Sequence, residues 1–418
     1  MEIRMSFRGR TALALCMLLT PGLAAAGDWP QILGPHRNGV AVDETLLAAW
    51  PTQGPDVVWE NKVGQGYAGP AVVGDRVILF DRVGDVERVQ ALSTTDGRQL
   101  WLTEFAATYR GGVNPDLGPR CVPLTHAGAV YLFGAAGDLY CIDLATGETN
   151  WSRNLFADYN GDEGYFGAGS TPIIVGDRLL VNIGGRDGHG LAAISLETGK
   201  TIWIATDERA SYSAPALASI DGKPVAWFVT RMNAVAINPV DGDVLFRIPF
   251  GKRGPTVNAA TPLLIGERLF LTASYRVGAV LASFTGKQVE TVWSSDEVLS
   301  SQYTTPVHHA GYLYGTHGRE DIGVAELRCV ETATGRVVWR QASFGVAHLI
   351  LAGDKLLIAK CDGSLVLAEA NPAGFQQLAS TRLFKNTARN IPALSSGRFY
   401  SRSNSGAAGV LKCVRVGE

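Results

Sequence analysis

One short pattern recurs along this chain and limits what it can fold into. In its fullest copy an alternating apolar run ends at Asp143, a Thr146-Gly147 turn follows, and a second strand closes on Trp151. Copies run through Gly97 to Trp101, Gly199 to Trp203, Gly242 to Phe246 and Gly335 to Trp339, with a looser one through Gly286 to Trp293. A second pattern opens each unit. Pro70, Pro172 and Pro262 each lead an apolar strand into a Gly-Asp or Gly-Glu turn and a second apolar strand. Such dipeptides between apolar runs are tight-turn chemistry. Each unit therefore reads as four strands in an up-and-down meander.

Unit starts fall at Pro70, Pro123, Pro172, Pro215, Pro262, Pro306, Leu349 and Pro392. Their spacing of roughly 43–53 residues is the length of a propeller blade. The last unit stops after three strands, near Val416, and has no closing Trp. An orphan strand, Val57-Val58-Trp59, has no beginning upstream. The two halves complete each other. The expected fold is all-β: an eight-bladed β-propeller of four-stranded antiparallel blades, its ring closed by an N-terminal strand that completes the last blade. Trp59, Trp101, Trp151, Trp203, Trp293 and Trp339 are expected to pack between neighbouring blades, each a structural residue.

Upstream lie two further segments. Arg4, Arg8 and Arg10 precede an apolar run and then Ala24-Ala25-Ala26, so residues 1–26 read as a signal peptide and the protein as periplasmic or secreted. Cys16 follows Leu15, not the small residue that a lipoprotein signal wants. Residues 27–55 are rich in turn formers without helical or strand period and read as an extended arm packed on the propeller, which spans 56–418. Beyond the signal no apolar run approaches the ~18 residues of a membrane span. A formal net charge of -2 argues against nucleic acid as the partner. Cys121, Cys141, Cys329, Cys361 and Cys413 show no CxxC spacing, which leaves buried free thiols or a Cys121–Cys141 pair.

The residue three before each unit start enters the innermost strand from one face of the ring. Tyr67, Arg120, Tyr212, Tyr303 and Arg389 occupy that position, so they are expected to converge on one funnel mouth. Arg offers a planar fork for carboxylates and Tyr a stacking face with a hydroxyl, a chemistry suited to an anionic or aromatic ligand. The long connection after the second unit carries Asp158, Asp162 and Glu163, oxygen-rich candidates for a cation. No Gly-x-Ser-x-Gly elbow, phosphate loop or HExxH helix supports hydrolase, kinase or zincin chemistry.

The Asp-x-x-Thr-Gly-x-x-x-Trp pattern, best in Asp143–Trp151, resembles the repeat of pyrroloquinoline-quinone (PQQ) enzymes over about Val57 to the C-terminus. The opening Asp28-Trp-Pro-Gln-x-x-Gly34-Pro-x-Arg-x-Gly39 resembles exported PQQ-like repeat proteins. The resemblance implies one of two branches. One is the quinoprotein alcohol dehydrogenases, with PQQ over the axis, Ca²⁺ against it and an Asp base. The other is non-catalytic propellers, including the periplasmic lipoprotein of the outer-membrane β-barrel assembly machinery. The dehydrogenases also carry a vicinal Cys-Cys pair and a Trp floor under the ring; this chain has no Cys-Cys and no Trp in its entry loops. The expectation is an exported, monomeric, non-catalytic module without cofactor, binding a protein, peptide or small ligand on its funnel face. The alternative is a PQQ- and Ca²⁺-dependent dehydrogenase of an alcohol or sugar.

Overall fold

The computed structural model describes residues 27–417 except 287, 405 and 407, so the signal-peptide reading of 1–26 lies outside the described residues. Eight antiparallel sheets are arranged radially. In chain order the blades span 71–106, 124–154, 173–205, 216–249, 263–295, 307–341 and 347–382, and the eighth combines 393–415 with Val57–Val63. The N-terminal strand lies on the outer edge of that last blade, antiparallel to Gly409–Arg415, with Trp59 opposite Cys413. The ring therefore closes as the orphan strand predicts. Among the described residues there is one short helix, Leu155–Tyr159, capped by the Asn154 side chain.

The turn chemistry explains the recurring pattern. Asp143 Oδ1 accepts from the backbone N–H groups of Ala145 and Thr146 at 2.9 and 2.8 Å, and from the Thr146 hydroxyl. This ties off a turn that would otherwise leave donors unpaired. Gly147 sits at φ +79°, and a Cβ there would lie 2.7 Å from the Trp101 ring of the preceding blade. The same holds for Gly97 against Trp59, Gly199 against Trp151, Gly242 against Trp203 and Gly335 against Trp293. Each indole Nε1–H then donates to a carbonyl in that neighbouring turn. Trp59 reaches Thr94, Trp101 Leu144, Trp151 Leu196, Trp203 Pro239, Trp293 Thr332 and Trp339 Asn371, all at 2.9–3.0 Å. Glycine and tryptophan of one repeat thus face different neighbours, and five seams are built from the Trp of one blade and the Gly of the next.

The core is the set of interfaces between adjacent blades. Val89 and Phe80 of the first blade pack with Leu132 and Ile142 of the second, and Leu179 and Ile194 of the third with Leu139 and Cys141. All five described cysteines are buried free thiols.

The arm does not lie on the outside of the ring. Trp29 is 1% exposed and pairs with Val72 on the innermost strand of blade one. Val40–Ala41 adds a fifth strand, parallel, to the inner edge of blade seven. Between them the chain turns inside the axial channel.

Candidate functional site

The connections that enter each inner strand cluster on one face, with the longest, 107–123 and 155–172, in contact with each other: Val113 N–H donates to Tyr165 O at 3.2 Å. The five expected residues lie in the connections on this face. Arg120 lies over the Tyr67 ring at 5.2 Å and 5.9 Å from that of Tyr109. The Tyr67 hydroxyl accepts from Asn114 Nδ2 at 3.1 Å. The Tyr212 hydroxyl accepts from the backbone of Tyr165 and Phe166 at 2.9 and 3.0 Å, and burial pushes its pKa up to about 12. Tyr303 donates to Glu320 at 2.6 Å and lies 3.0 Å from Cys361 Sγ; burial, with Cys361 and Glu320 beside it, raises it well above its ordinary range. Arg389 Nε sits 2.9 Å from Glu320, an ion contact, while its Nη2 makes the aligned bond at 3.1 Å. Burial works against that guanidinium, but Glu320 holds its pKa above the usual value. Direct contacts thus join Tyr67 with Arg120, and Tyr303 with Arg389 through Glu320, while Tyr212 is held by the 155–172 connection.

The two cations of this patch are already partnered. Arg120 is ion-paired with Asp116 at 3.1 Å, both side chains almost fully buried, and also donates to the carbonyls of Asp116 and Gly118. Glu320, from a hairpin turn of blade six, neutralises Arg389 of blade eight. The floor beneath is apolar: Ile32 and Leu33 of the arm pack with Val122, Ala214 and Ile391. Asp116 is legible in sequence as an acid four residues from Arg120. Glu320 is not, because its pairing crosses two blades.

The three acids expected to hold a cation are not brought together. Asp158 pairs with Arg153 at 2.6 Å and Asp162 with Arg209. Glu163 lines a small cavity of about 30 Å³ with Tyr212 and Asn182, and burial followed by the nearby Asp162 raises its pKa. Among the described residues no group of three or more His, Cys, Asp or Glu is placed to hold a metal ion.

A larger concavity lies on the rim, between blades three and four, with a volume of about 550 Å³. Its polar centre is Glu208, which is 7% exposed and accepts from Thr230 at 2.7 Å, from Asn233 at 3.0 Å and from Arg247 at 2.9 Å. Arg231 reaches across to the carbonyls of Lys252 and Gly254. Met232 and Val244 line the groove and are 37% and 40% exposed, and Leu245, on the same outer strand as Val244, is 44% exposed. Sequence reading missed this groove because its walls come from a connection, a hairpin turn and an outer strand. Its only linear trace is the charged run Asp207-Glu208-Arg209.

Known proteins give the same reading of the scaffold. Residues 85–341, more than half of the chain, match the family model described as outer membrane protein assembly factor BamB. The outer membrane protein assembly factor BamB of Yersinia pestis is 24% identical over 74% of this chain and 88% of its own. That of Burkholderia pseudomallei is 25% identical over 76% of this chain and 83% of its own. The crystal structure of BamB from Moraxella catarrhalis superposes with TM-score 0.62 at 18% identity, covering 86% of this chain and all but 1% of that one. Quinohemoprotein alcohol dehydrogenase from Comamonas testosteroni superposes at 0.67 with 13% identity, over 94% of this chain and 82% of that one, a likeness of fold alone. The chain therefore belongs to the family of outer membrane protein assembly factor BamB.

Proposed function

We propose that this protein is a non-catalytic propeller, acting outside the cytoplasm, that docks a protein partner in outer-membrane protein assembly. The relatives' name supports the process. The groove between blades three and four carries the docking reading. It couples a satisfied, rigid polar centre at Glu208 to exposed Met232 and Val244, with Leu245 exposed next along the same outer strand and its free edge. Exposed apolar side chains around a concavity mark protein contact sites. A free strand edge with alternating side chains suits an extended segment of the partner.

The quinoprotein reading has little to stand on at the mouth. PQQ carries three carboxylates and would need free guanidinium groups, whereas Arg120 and Arg389 are neutralised by Asp116 and Glu320. The residues present do not fit the cofactor.

The test is site-specific photocrosslinking in cells, with the probe at Leu245, on the outer strand that borders the groove, and at Leu217, which is as exposed but on the innermost strand of the same blade. A crosslink from Leu245 alone to an outer-membrane assembly component supports the reading, and Leu245→Asp should remove that partner. Loss of the partner in Arg120→Ala and Arg389→Ala with Leu245→Asp unaffected would move the docking surface to the mouth. Tight PQQ binding in the presence of Ca²⁺, with dye-linked alcohol oxidation, would overturn the non-catalytic reading.

A further inference from the structure

The opening motif of the arm has no role in the repeat, yet the structure uses nearly every residue of it. Asp28 accepts from the Gly74 N–H in the turn at the far end of the innermost strand of blade one. Trp29 exchanges two backbone hydrogen bonds of 2.8 Å with Val72, and Pro30 O accepts from Thr125 of blade two at 2.9 Å. The chain therefore climbs the channel from the face opposite the mouth. Ile32 and Leu33 then pack with Val122, Ala214 and Ile391, which open the inner strands of blades two, four and eight. Gln31 Oε1 accepts from Arg37 Nε at 2.7 Å. Arg37 is 3% exposed, and its Nη1 and Nη2 donate to the carbonyls of Thr171, Pro172 and Pro215 in blades three and four. Gly39 O accepts from Leu351 of blade seven at 2.8 Å, and the chain descends. Glu44 meets it at the exit, accepting from the Ser396 and Gly397 N–H groups of blade eight.

The spacing of the motif follows from this path. Gly34 is at φ +81°, and a Cβ there would lie 3.0 Å from the Trp29 ring. Gly39 is at φ +72°, and its Cβ would lie 2.9 Å from Val307 and 3.1 Å from Leu349 O. Only glycine meets both demands at once.

We propose that residues 28–41 are a peptide ligand bound in cis: a plug that shuts the axial channel and holds the mouth in place from beneath. Val122, Ala214 and Ile391 stand two residues after Arg120, Tyr212 and Arg389, so the contacts of Ile32 and Leu33 bear directly on three of the five mouth residues. This segment, with Glu44 just beyond it, thereby joins inner strands of blades one, two, three, four and seven and a turn of blade eight, contacts that the blade-to-blade seams do not make. The channel is then no conduit, and a partner meets only the mouth or the rim.

The experiment is a nick in the full protein. A specific protease site inserted between Thr52 and Gln53, both exposed in the Pro51–Gly54 turn, separates the arm from the ring; Leu46 and Trp50 stay with the arm and pack on blade eight, so the Arg37 variant isolates the share of the plug. The tether supplies an effective concentration in the millimolar range, so only a fragment with real affinity stays once it is cut. The 27–52 fragment is expected to co-elute with the ring after cleavage. In Arg37→Met it should leave about tenfold faster or more, because the three carbonyls lose a charged donor. On its release, amide exchange should rise in 120–125, 212–217 and 389–394. Aggregation of the ring on release would equally support the plug, since the ring would then depend on it. A fragment that leaves at once, from a ring that keeps its melting temperature and the exchange protection of those segments, would overturn the proposal.

Discussion

Two buried titratable groups pull stability in opposite directions over the same pH range, and separating them is a direct test of the packing. His348, on the innermost strand of blade seven, is 3% exposed, and burial lowers its pKa from 6.5 to about 4 despite the Arg389 carbonyl beside it. The unfolded chain takes up that proton first as pH falls. The stability that His348 contributes is therefore whole above about 6.5 and is lost as pH falls toward 4. Glu87, in blade one, is 2% exposed, and burial raises its pKa from 4.5 to about 7, against the Ala135 N–H that its carboxylate accepts. Here the unfolded chain gives up the proton first. Its stability is whole below about 4.5 and is lost as pH rises toward 7. Each shift corresponds to about 3 kcal/mol between the two ends of its window. In the wild type the two slopes largely cancel between about pH 4.5 and 6.5. Glu87→Gln should unmask the histidine, giving stability that climbs by about 3 kcal/mol from pH 4 to 7. His348→Gln should unmask the carboxyl and give the reverse slope. Urea midpoints measured at half-unit intervals decide it. Parallel profiles for the wild type and both variants would refute the reasoning, because neither group would then be buried as described.

The seams give two further expectations. Gly199→Ala places a Cβ 2.7 Å from the Trp151 ring at φ +68°, whereas Gly176→Ala, at φ +62°, meets nothing within 4 Å. Urea unfolding should show a loss of about 1 kcal/mol for Gly176→Ala, from the backbone alone, and a further 1–3 kcal/mol or so for Gly199→Ala, from the clash; equal losses would show that the ring moves aside freely. Trp59→Ala removes a buried indole and its bond to Thr94 at the seam where the two chain ends meet. It should cost about 3–5 kcal/mol in thermal or urea unfolding, and a loss below about 1 kcal/mol would show that the seam does not hold the ring.

Blade number, strand order and closure were legible because they are repeated. Asp143, Thr146, Gly147 and Trp151 each answer a local demand of one turn or one seam, and the demand recurs along the chain. The placement of Tyr67, Arg120, Tyr212, Tyr303 and Arg389 at equivalent entries to the inner strands was legible for the same reason: equal positions in a radial repeat lie on one face of the ring. What the repeat does not encode was not legible. The acceptors of Arg37 are backbone carbonyls, which leave no side-chain trace, and they lie more than 130 positions away. Glu320 finds Arg389 across 69 positions, and Glu208 finds Arg247 across 39. Asp158 and Asp162 looked like one oxygen-rich loop, but each is claimed by a different arginine, Arg153 and Arg209.

The two N-terminal devices solve different problems, and together they bear on where function can lie. Because the Trp of one blade sits on the Gly turn of the next at five of the seams, the turn of the first blade takes its indole from before its own repeat, and Trp59 supplies it from the last blade. That strand holds the ring at its circumference. It does nothing at the centre, which the innermost strands of the eight blades surround. The arm fills that space with Trp29, Ile32, Leu33 and Arg37, all buried. A ligand entering along the axis would have to displace them and strip the carbonyls of Thr171, Pro172 and Pro215 of a charged donor, and each lost bond of that kind costs about 1.5–3 kcal/mol. The rim groove asks for no such displacement: its polar centre is already satisfied, and Met232, Val244 and Leu245 are exposed before any partner arrives. Recognition is therefore cheaper at the rim than on the axis, and selection for a binding role would act on the outer strands and connections of blades three and four, leaving the axial motif under structural constraint alone.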